Sequence, residues 1–395
     1  MTELQHGQTR ERLNEVDVIR GFAVIGIFLV NVPEMIGNGI SFQPVYAAGD
    51  SWLRLLYDMF VQTKFYSLFA FLFGLGFYLF MEGAERRGRK PKRLFARRLT
   101  VLLALGLAHA VLLWYGDVLY TYALVGFMLL LFYRRKPRTV LVWGILLCSL
   151  FALLLALLMG LIHVLGLGDE LSRPEFAAVP DMAGRIRFLL GSGIGNVFLM
   201  GMDILGLFLL GLYAGKKRWF EAGGHQEGRR IRTVQAAALA LSLLLFIPMI
   251  RYYMGHSDAY NSQDIYVYIH LTGKTMAVFY VCTWLCLMRS ETGTVRFSGL
   301  AALGRMALTS YLVQSALTML LVSLLGSRAA GLPLWTGALY AVLVSVLQVG
   351  ASLLWLRRYR MGPVEWIWRA AVYGSWPSFR LSPRDGYGNE KGNAV

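Results

Sequence analysis

Polar and ionisable side chains stand at a few points inside long apolar runs. They are Asp17, Arg20 and Asn31 in the first run, His109 with Asp117 in and just beyond the third, Asp203 in the sixth, His270 with Lys274 in the eighth, and Arg305 in the ninth. Such residues can move a proton or hold an anion. Asp17 and Arg20 are three apart and share a helix face, as a plain ion pair or, with Gly21 next to them, as a guanidinium offered where backbone can approach a phosphate or carboxylate. His270 and Lys274 are four apart on one face, and two adjacent basic groups repel when both are charged, so one is neutral or faces a carboxylate. Asp203 is the candidate carboxylate. The pair either locks two helices together or lines a polar chamber in which His270 or His109 moves a proton and Lys274 holds an anion. His109, flanked by Gly106, Ala108 and Ala110, is either a packed core residue or a base.

The runs that carry these groups define the class. Of 395 residues, 56% are hydrophobic and only 16% charged, which is too little polar surface to wet a globule of this size. A soluble enzyme is excluded. An aromatic content of 13% excludes disorder as well. Against the roughly 20 apolar residues needed to cross a bilayer, the chain offers about ten spans, at 16–36, 60–81, 99–114, 118–133, 139–165, 194–215, 233–254, 266–288, 298–325 and 333–356. The third and fourth are short and joined by Tyr115-Gly116-Asp117, a tight hairpin. The expected fold class is therefore all-α, a polytopic membrane helical bundle forming one integral membrane domain. It comprises a tail (1–15), ten helices (16–356) and an interfacial C-terminal helix and tail (357–395).

Most of the 39 Lys and Arg residues fall in the segments that are cytoplasmic if both termini are inside, which fixes that orientation. The net charge of +16 then reflects topology and contact with anionic lipid rather than nucleic acid. The second outer loop has the pattern of an interfacial helix from Pro180 onward, and 357–379, with Trp366, Trp368, Tyr373 and Trp376 among arginines, reads as a helix in the inner headgroup layer. Counting about 1.5 Å per residue puts His109 roughly 15 Å and Asn31 roughly 22 Å from the inner face, with Lys274 roughly 12 Å and Asp203 roughly 14 Å from the outer one. Cys148, Cys282 and Cys286 lie in apolar runs as small core residues, and no metal site is expected.

Four stretches in order resemble the YeiB (DUF418) membrane proteins: Asp17-Val-Ile-Arg-Gly-Phe-Ala23 with Asn31, Lys64 through Gly76, His109 through Asp117, and Gly304-Arg-Met-Ala-Leu-Thr-Ser-Tyr311. The D-x-x-R-G opening also resembles, more distantly, the heparan-α-glucosaminide N-acetyltransferases and the acyltransferase-3 proteins. That likeness implies a transmembrane acyltransferase using cytoplasmic acyl-CoA, with acetyl-CoA among the donors, and an acceptor in or beyond the membrane. Acyltransferase-3 proteins carry a His where this chain has Asn31, and the heparan enzymes place theirs in the following outer loop, which has none here at 47–52. The base must then be another residue. The expected roles are His109 as base, oriented by Asp117 or Asn31; Lys274 or Asn31 at the oxyanion; and Asp17, Arg20 and Arg305 around the inner entrance for CoA. The competing reading is a proton-linked transporter, or a lipid- or anion-handling protein, built on Asp203, His270 and Lys274. The expected partners are membrane lipids and a small-molecule, lipid or glycan acceptor, with self-association allowed and no nucleic acid. The expected location is the cytoplasmic (inner) membrane, crossed many times.

Overall fold

The computed structural model describes residues 2–41, 45–166, 181–220, 225–288 and 296–381. The helices are α1 (Thr2–Ile36), α2 (Ala48–Phe60), α3 (Lys64–Arg86), α4 (Pro91–Leu112), α5 (Leu119–Phe132), α6 (Pro137–Leu165), α7 (Met182–Leu190), α8 (Ser192–Lys216), α9 (His225–Gly255), α10 (Tyr266–Met288), α11 (Ser298–Arg305), α12 (Ala307–Leu325), α13 (Leu334–Leu356) and α14 (Pro363–Tyr373). Among the described residues nine helical stretches are long and apolar enough to span a bilayer. A helix satisfies its own backbone polar groups, which is what hydrocarbon demands. This is a multi-pass membrane bundle. The remaining expected span, α5, has only 14 residues, about 21 Å, and reaches part of the way back along α4 from the hairpin turn.

Two helix crossings set the frame, and both are made by glycines that meet backbone. A Cβ on Gly21 of α1 would lie 2.0 Å from the Leu300 carbonyl oxygen of α11, and one on Gly304 of α11 would lie 1.9 Å from the Asp17 oxygen of α1. The α3–α8 crossing is built the same way, with Gly74 against Phe208 and Gly211 against Phe71. Between lipid-facing helices there is little hydrophobic force, so close backbone packing supplies the contact. Gly304→Ala is expected to push α1 and α11 apart and cost about 1–3 kcal/mol. A lowered Tm in detergent checks this, and an unchanged Tm would place the crossing elsewhere.

Polar side chains tie neighbouring helices. Gln314 Nε2 donates to Gln348 Oε1 (2.8 Å), and Gln348 returns to the Ser310 carbonyl (3.1 Å), joining α12 to α13. Gln235 donates to Thr283 (2.9 Å) between α9 and α10.

One local feature differs from the expectations, and the structure adds detail to others. The expected ninth span is two helices, broken at Met306 (φ −112°, ψ 26°). The break exposes the first N–H groups of α12, and Glu365 of α14 takes them: its Oε1 accepts from Leu308 N (2.8 Å) and Thr309 N (3.1 Å), and its Oε2 from the Thr309 hydroxyl (2.5 Å). The first outer loop carries structure of its own. Strand β1 (Val45–Ala47) pairs antiparallel with β2 (Ala259–Asn261), and α2 follows at once. The C-terminal helix α14 forms within the stretch expected to be helical and packs against the bundle, with Arg97 donating to the Ala371 carbonyl (3.1 Å) and Trp368 Nε1 to the Arg98 carbonyl (3.3 Å). Helix α7 starts where an interfacial helix was expected, capped by Asp181 on Gly184 N (2.7 Å), while Pro180 lies outside the described residues.

Candidate functional site

The α1–α11 crossing brings two Gly–Arg pairs together in opposite order, Arg20-Gly21 and Gly304-Arg305. The glycines touch backbone, so both arginines are set at the basic end of the bundle. Arg20 Nη1 donates to Asp17 Oδ1 (2.7 Å) and lies 3.5 Å from the Gly304 carbonyl. Arg305, exposed, donates to the Arg360 carbonyl (3.1 Å). Arg98 of α4 stacks over Trp368 at 4.2 Å and over Phe80 at 5.0 Å. With Arg369 of α14 these residues surround the mouth of a cavity of about 270 Å³.

Beyond that mouth the cavity runs between α1, α3, α4, α5, α12 and α14, walled by Phe69, Phe73, Phe77, Phe95 and Leu102, and reaches Tyr122 and Tyr311. Glu365 and Trp368 form part of the wall, so the C-terminal helix is a structural piece of the cavity.

At Tyr311 the cavity meets a buried polar group. The Tyr311 hydroxyl donates to Asp117 Oδ1 (2.9 Å), His109 Nδ1 stands 3.0 Å from the same oxygen, and Asp117 Oδ2 accepts from the Tyr120 backbone N–H (3.2 Å). The His109 and Tyr311 rings are 5.2 Å apart. His109 Nε2 has no hydrogen-bond partner among the described residues. The hairpin can fold back this tightly because of Gly106, where a Cβ would lie 2.4 Å from Tyr120 N.

Asn31 does not join this group. It is half-buried, outside the cavity wall, and makes no hydrogen bond among the described residues. Asp203, His270 and Lys274 form a separate cluster. Lys274 Nζ lies 3.0 and 3.1 Å from the two oxygens of fully buried Asp203, and the Tyr66 hydroxyl donates to the same carboxylate. His270 packs edge-on to Tyr266 (4.6 Å) beside Phe151 (5.3 Å), and neither ring nitrogen has a hydrogen-bond partner among the described residues. This cluster does not line the cavity.

A family described as a protein of unknown function, DUF418, matches residues 214–375, from the end of α8 through α14. The uncharacterized protein YxaH of Bacillus subtilis (strain 168) is 32% identical across 95% of this chain and 98% of its own length. The chain belongs to the DUF418 family. Two more relatives match over nearly their full lengths. They are an uncharacterized 39.9 kDa protein from the amylase 3′ region of Bacillus acidopullulyticus (29% identical, 92% of this chain and 94% of its own) and the uncharacterized protein YeiB of Escherichia coli (strain K12) (28%, 91% and 96%). The matched segment of this DUF418 chain supplies Arg305, Tyr311, Glu365, Trp368 and Arg369 to the cavity lining, while Arg20 and Arg98 come from outside it.

Several of these residues were not picked out as site residues from sequence. Arg98 sits in a run of basic residues that also marks topology, and Glu365 is far from any other candidate in the chain. Tyr311 lies within the Gly304–Tyr311 motif but carries no charge to draw notice. A second network at the other end was also hidden. Arg54 Nη2 donates to Asp58 Oδ1 (2.5 Å) and Arg54 Nε to Ser262 (3.0 Å), while Asp58 Oδ2 accepts from Ser262 (2.7 Å) and Tyr260 (3.0 Å). Lys64, fully buried, donates to Thr272 Oγ1 (2.8 Å) and the Asp58 carbonyl (2.5 Å). The i, i+4 spacing of Arg54 and Asp58 was the available signal.

Proposed function

We propose that the protein is an acyltransferase of the bacterial cytoplasmic membrane that takes an acyl group from cytoplasmic acyl-CoA and passes it to an acceptor in or beyond the membrane. The observation that carries this reading is the cavity. Its arginine mouth suits the CoA phosphates, its aromatic bore suits the acyl group, and Tyr311, hydrogen-bonded to Asp117 beside His109, stands at its inner limit.

The step balances as follows. An acceptor hydroxyl or amine gives its proton to His109 Nε2 as its oxygen or nitrogen attacks the thioester carbonyl carbon. The carbonyl oxygen carries the negative charge of the tetrahedral species until the C–S bond breaks. The departing CoA sulfur takes the proton back from His109 and leaves as the thiol. Asp117, fixed by Tyr311 and the Tyr120 N–H, keeps the imidazole oriented and offsets its transient charge. The test is isothermal titration of acetyl- and decanoyl-CoA into the purified protein in lipid discs. Saturable binding that Arg98→Gln weakens about tenfold supports the reading. A protein that binds no CoA ester overturns it.

A second reading rests on Asp203 and Lys274, a buried ion pair inside the bundle with His270 beside it, none of the three lining the cavity. Such pairs are costly in a membrane and mark proton or ion pathways. On this reading Asp203→Asn abolishes solute uptake driven by a proton gradient in proteoliposomes. Uptake that persists in the variant removes it.

A further inference from the structure

The cavity joins two kinds of surface that one ligand must satisfy together. At its mouth, Arg20 pairs with Asp17, and the Glu365 carboxylate is engaged by the first N–H groups of α12 and the Thr309 hydroxyl. Arg98, Arg305 and Arg369 form no ion pair with a carboxylate among the described residues, although Arg305 and Arg369 lie close enough to Asp17 to share its field. Four arginines therefore face two carboxylates, Asp17 and Glu365, and the rim keeps a net positive charge in a partly enclosed place, which is the chemistry of a phosphate seat. Behind the rim the wall turns apolar. On α3 alone it extends from Phe69 to Phe80, eleven residues or roughly 16 Å along the helix axis. An acetyl group would touch a small part of that wall.

Gly76 lies midway along this face, and a Cβ placed on it meets no atom within 4 Å. The glycine is therefore not needed for helix packing, unlike Gly74 two residues earlier, whose Cβ would strike Phe208. Its lack of a side chain leaves the bore open.

We propose that the cavity seats an extended alkyl chain with a phosphate-bearing head, so that a medium- or long-chain acyl group, not acetyl, is the group it selects. This rests on the acyl-CoA reading only for the identity of the head. The same chemistry is offered by a CoA ester from the cytoplasm and by a lysophosphatidate from the bilayer. A hydrocarbon tail moved from water into the bore gains about fourfold in affinity for each methylene buried.

The experiment measures Kd for acetyl-, hexanoyl- and decanoyl-CoA and for decanoyl lysophosphatidate with wild type and Gly76→Leu, both full-length in identical lipid discs. Partition of the probe into lipid is common to the two proteins and cancels. For wild type, Kd is expected to fall about fourfold per methylene until the bore is full. Gly76→Leu is expected to erase most of that gain, so that the ratio of acetyl- to decanoyl-CoA Kd collapses, with a Tm no lower than wild type because leucine favours the helix over glycine. Equal Kd across the CoA esters, or a chain-length gain that Gly76→Leu leaves intact, overturns the proposal while leaving an acyl-CoA site in place. Saturable binding of decanoyl lysophosphatidate that Gly76→Leu weakens, with no binding of any CoA ester, sustains the chain and phosphate but overturns the CoA donor. No saturable binding of any probe overturns both.

Discussion

His109→Ala is expected to lower acyl transfer from acyl-CoA by about 10²- to 10⁴-fold while the protein stays folded and still binds CoA esters. The side chain does not itself line the cavity but packs behind Tyr311, so its loss leaves the arginine rim and the aromatic bore in place. It is only 3% exposed, and Nε2 is the nitrogen left over once Nδ1 faces Asp117. Asp117→Asn is expected to approach the same loss, because an amide cannot balance an imidazolium and offers Tyr311 a weaker acceptor. Tyr311→Phe keeps the buried ring and removes one hydrogen bond, so the loss is smaller, about tenfold. Release of CoA thiol by the protein in bacterial membrane vesicles measures all three. Wild-type rates in His109→Ala would move the base to another residue and leave the cavity as a binding site without this chemistry.

The largest stability effect belongs to the opposite end of the bundle. Asp58→Ala is expected to destabilise the protein by about 3–5 kcal/mol, because it leaves the Arg54 guanidinium charged, buried and without its carboxylate. Ser262 and Tyr260 lose their acceptor at the same time. This network ties α2 to the segment after β2, and the β1–β2 ladder runs beside it. The cost comes mainly from the orphaned charge, so the double change Arg54→Met with Asp58→Leu is expected to recover part of it. Thermal unfolding of Arg54→Met, Asp58→Leu, the double variant and wild type in detergent closes a double-mutant cycle, with Asp58→Ala measured beside them. A single variant within 1 kcal/mol of wild type would mean that water reaches Arg54.

The Asp203–Lys274 pair shows how far sequence reasoning reaches. Depth counted along two helices placed both residues at similar levels in the outer half of the bilayer, and a buried Lys needs a carboxylate. The structure brings them within 3.0 Å. Asn31 fails the same argument. Depth matched, but rotation about the helix axis did not, and hydropathy carries no azimuth for a helix that is apolar all round.

By itself the sequence determined the class, the approximate spans and the basic end of the bundle. In a bilayer these follow from local composition: each span must be apolar over its own length, and each basic loop answers to the membrane independently of the others. Only the tertiary structure decided where chemistry is possible. The break at Met306 depends on Glu365, almost sixty residues away; the bore depends on Gly76 facing open space while Gly74 meets Phe208; and the rim depends on Arg98 meeting Trp368. Each is settled by which helix faces lie against one another, an energy that belongs to pairs of distant segments and is written in neither segment alone.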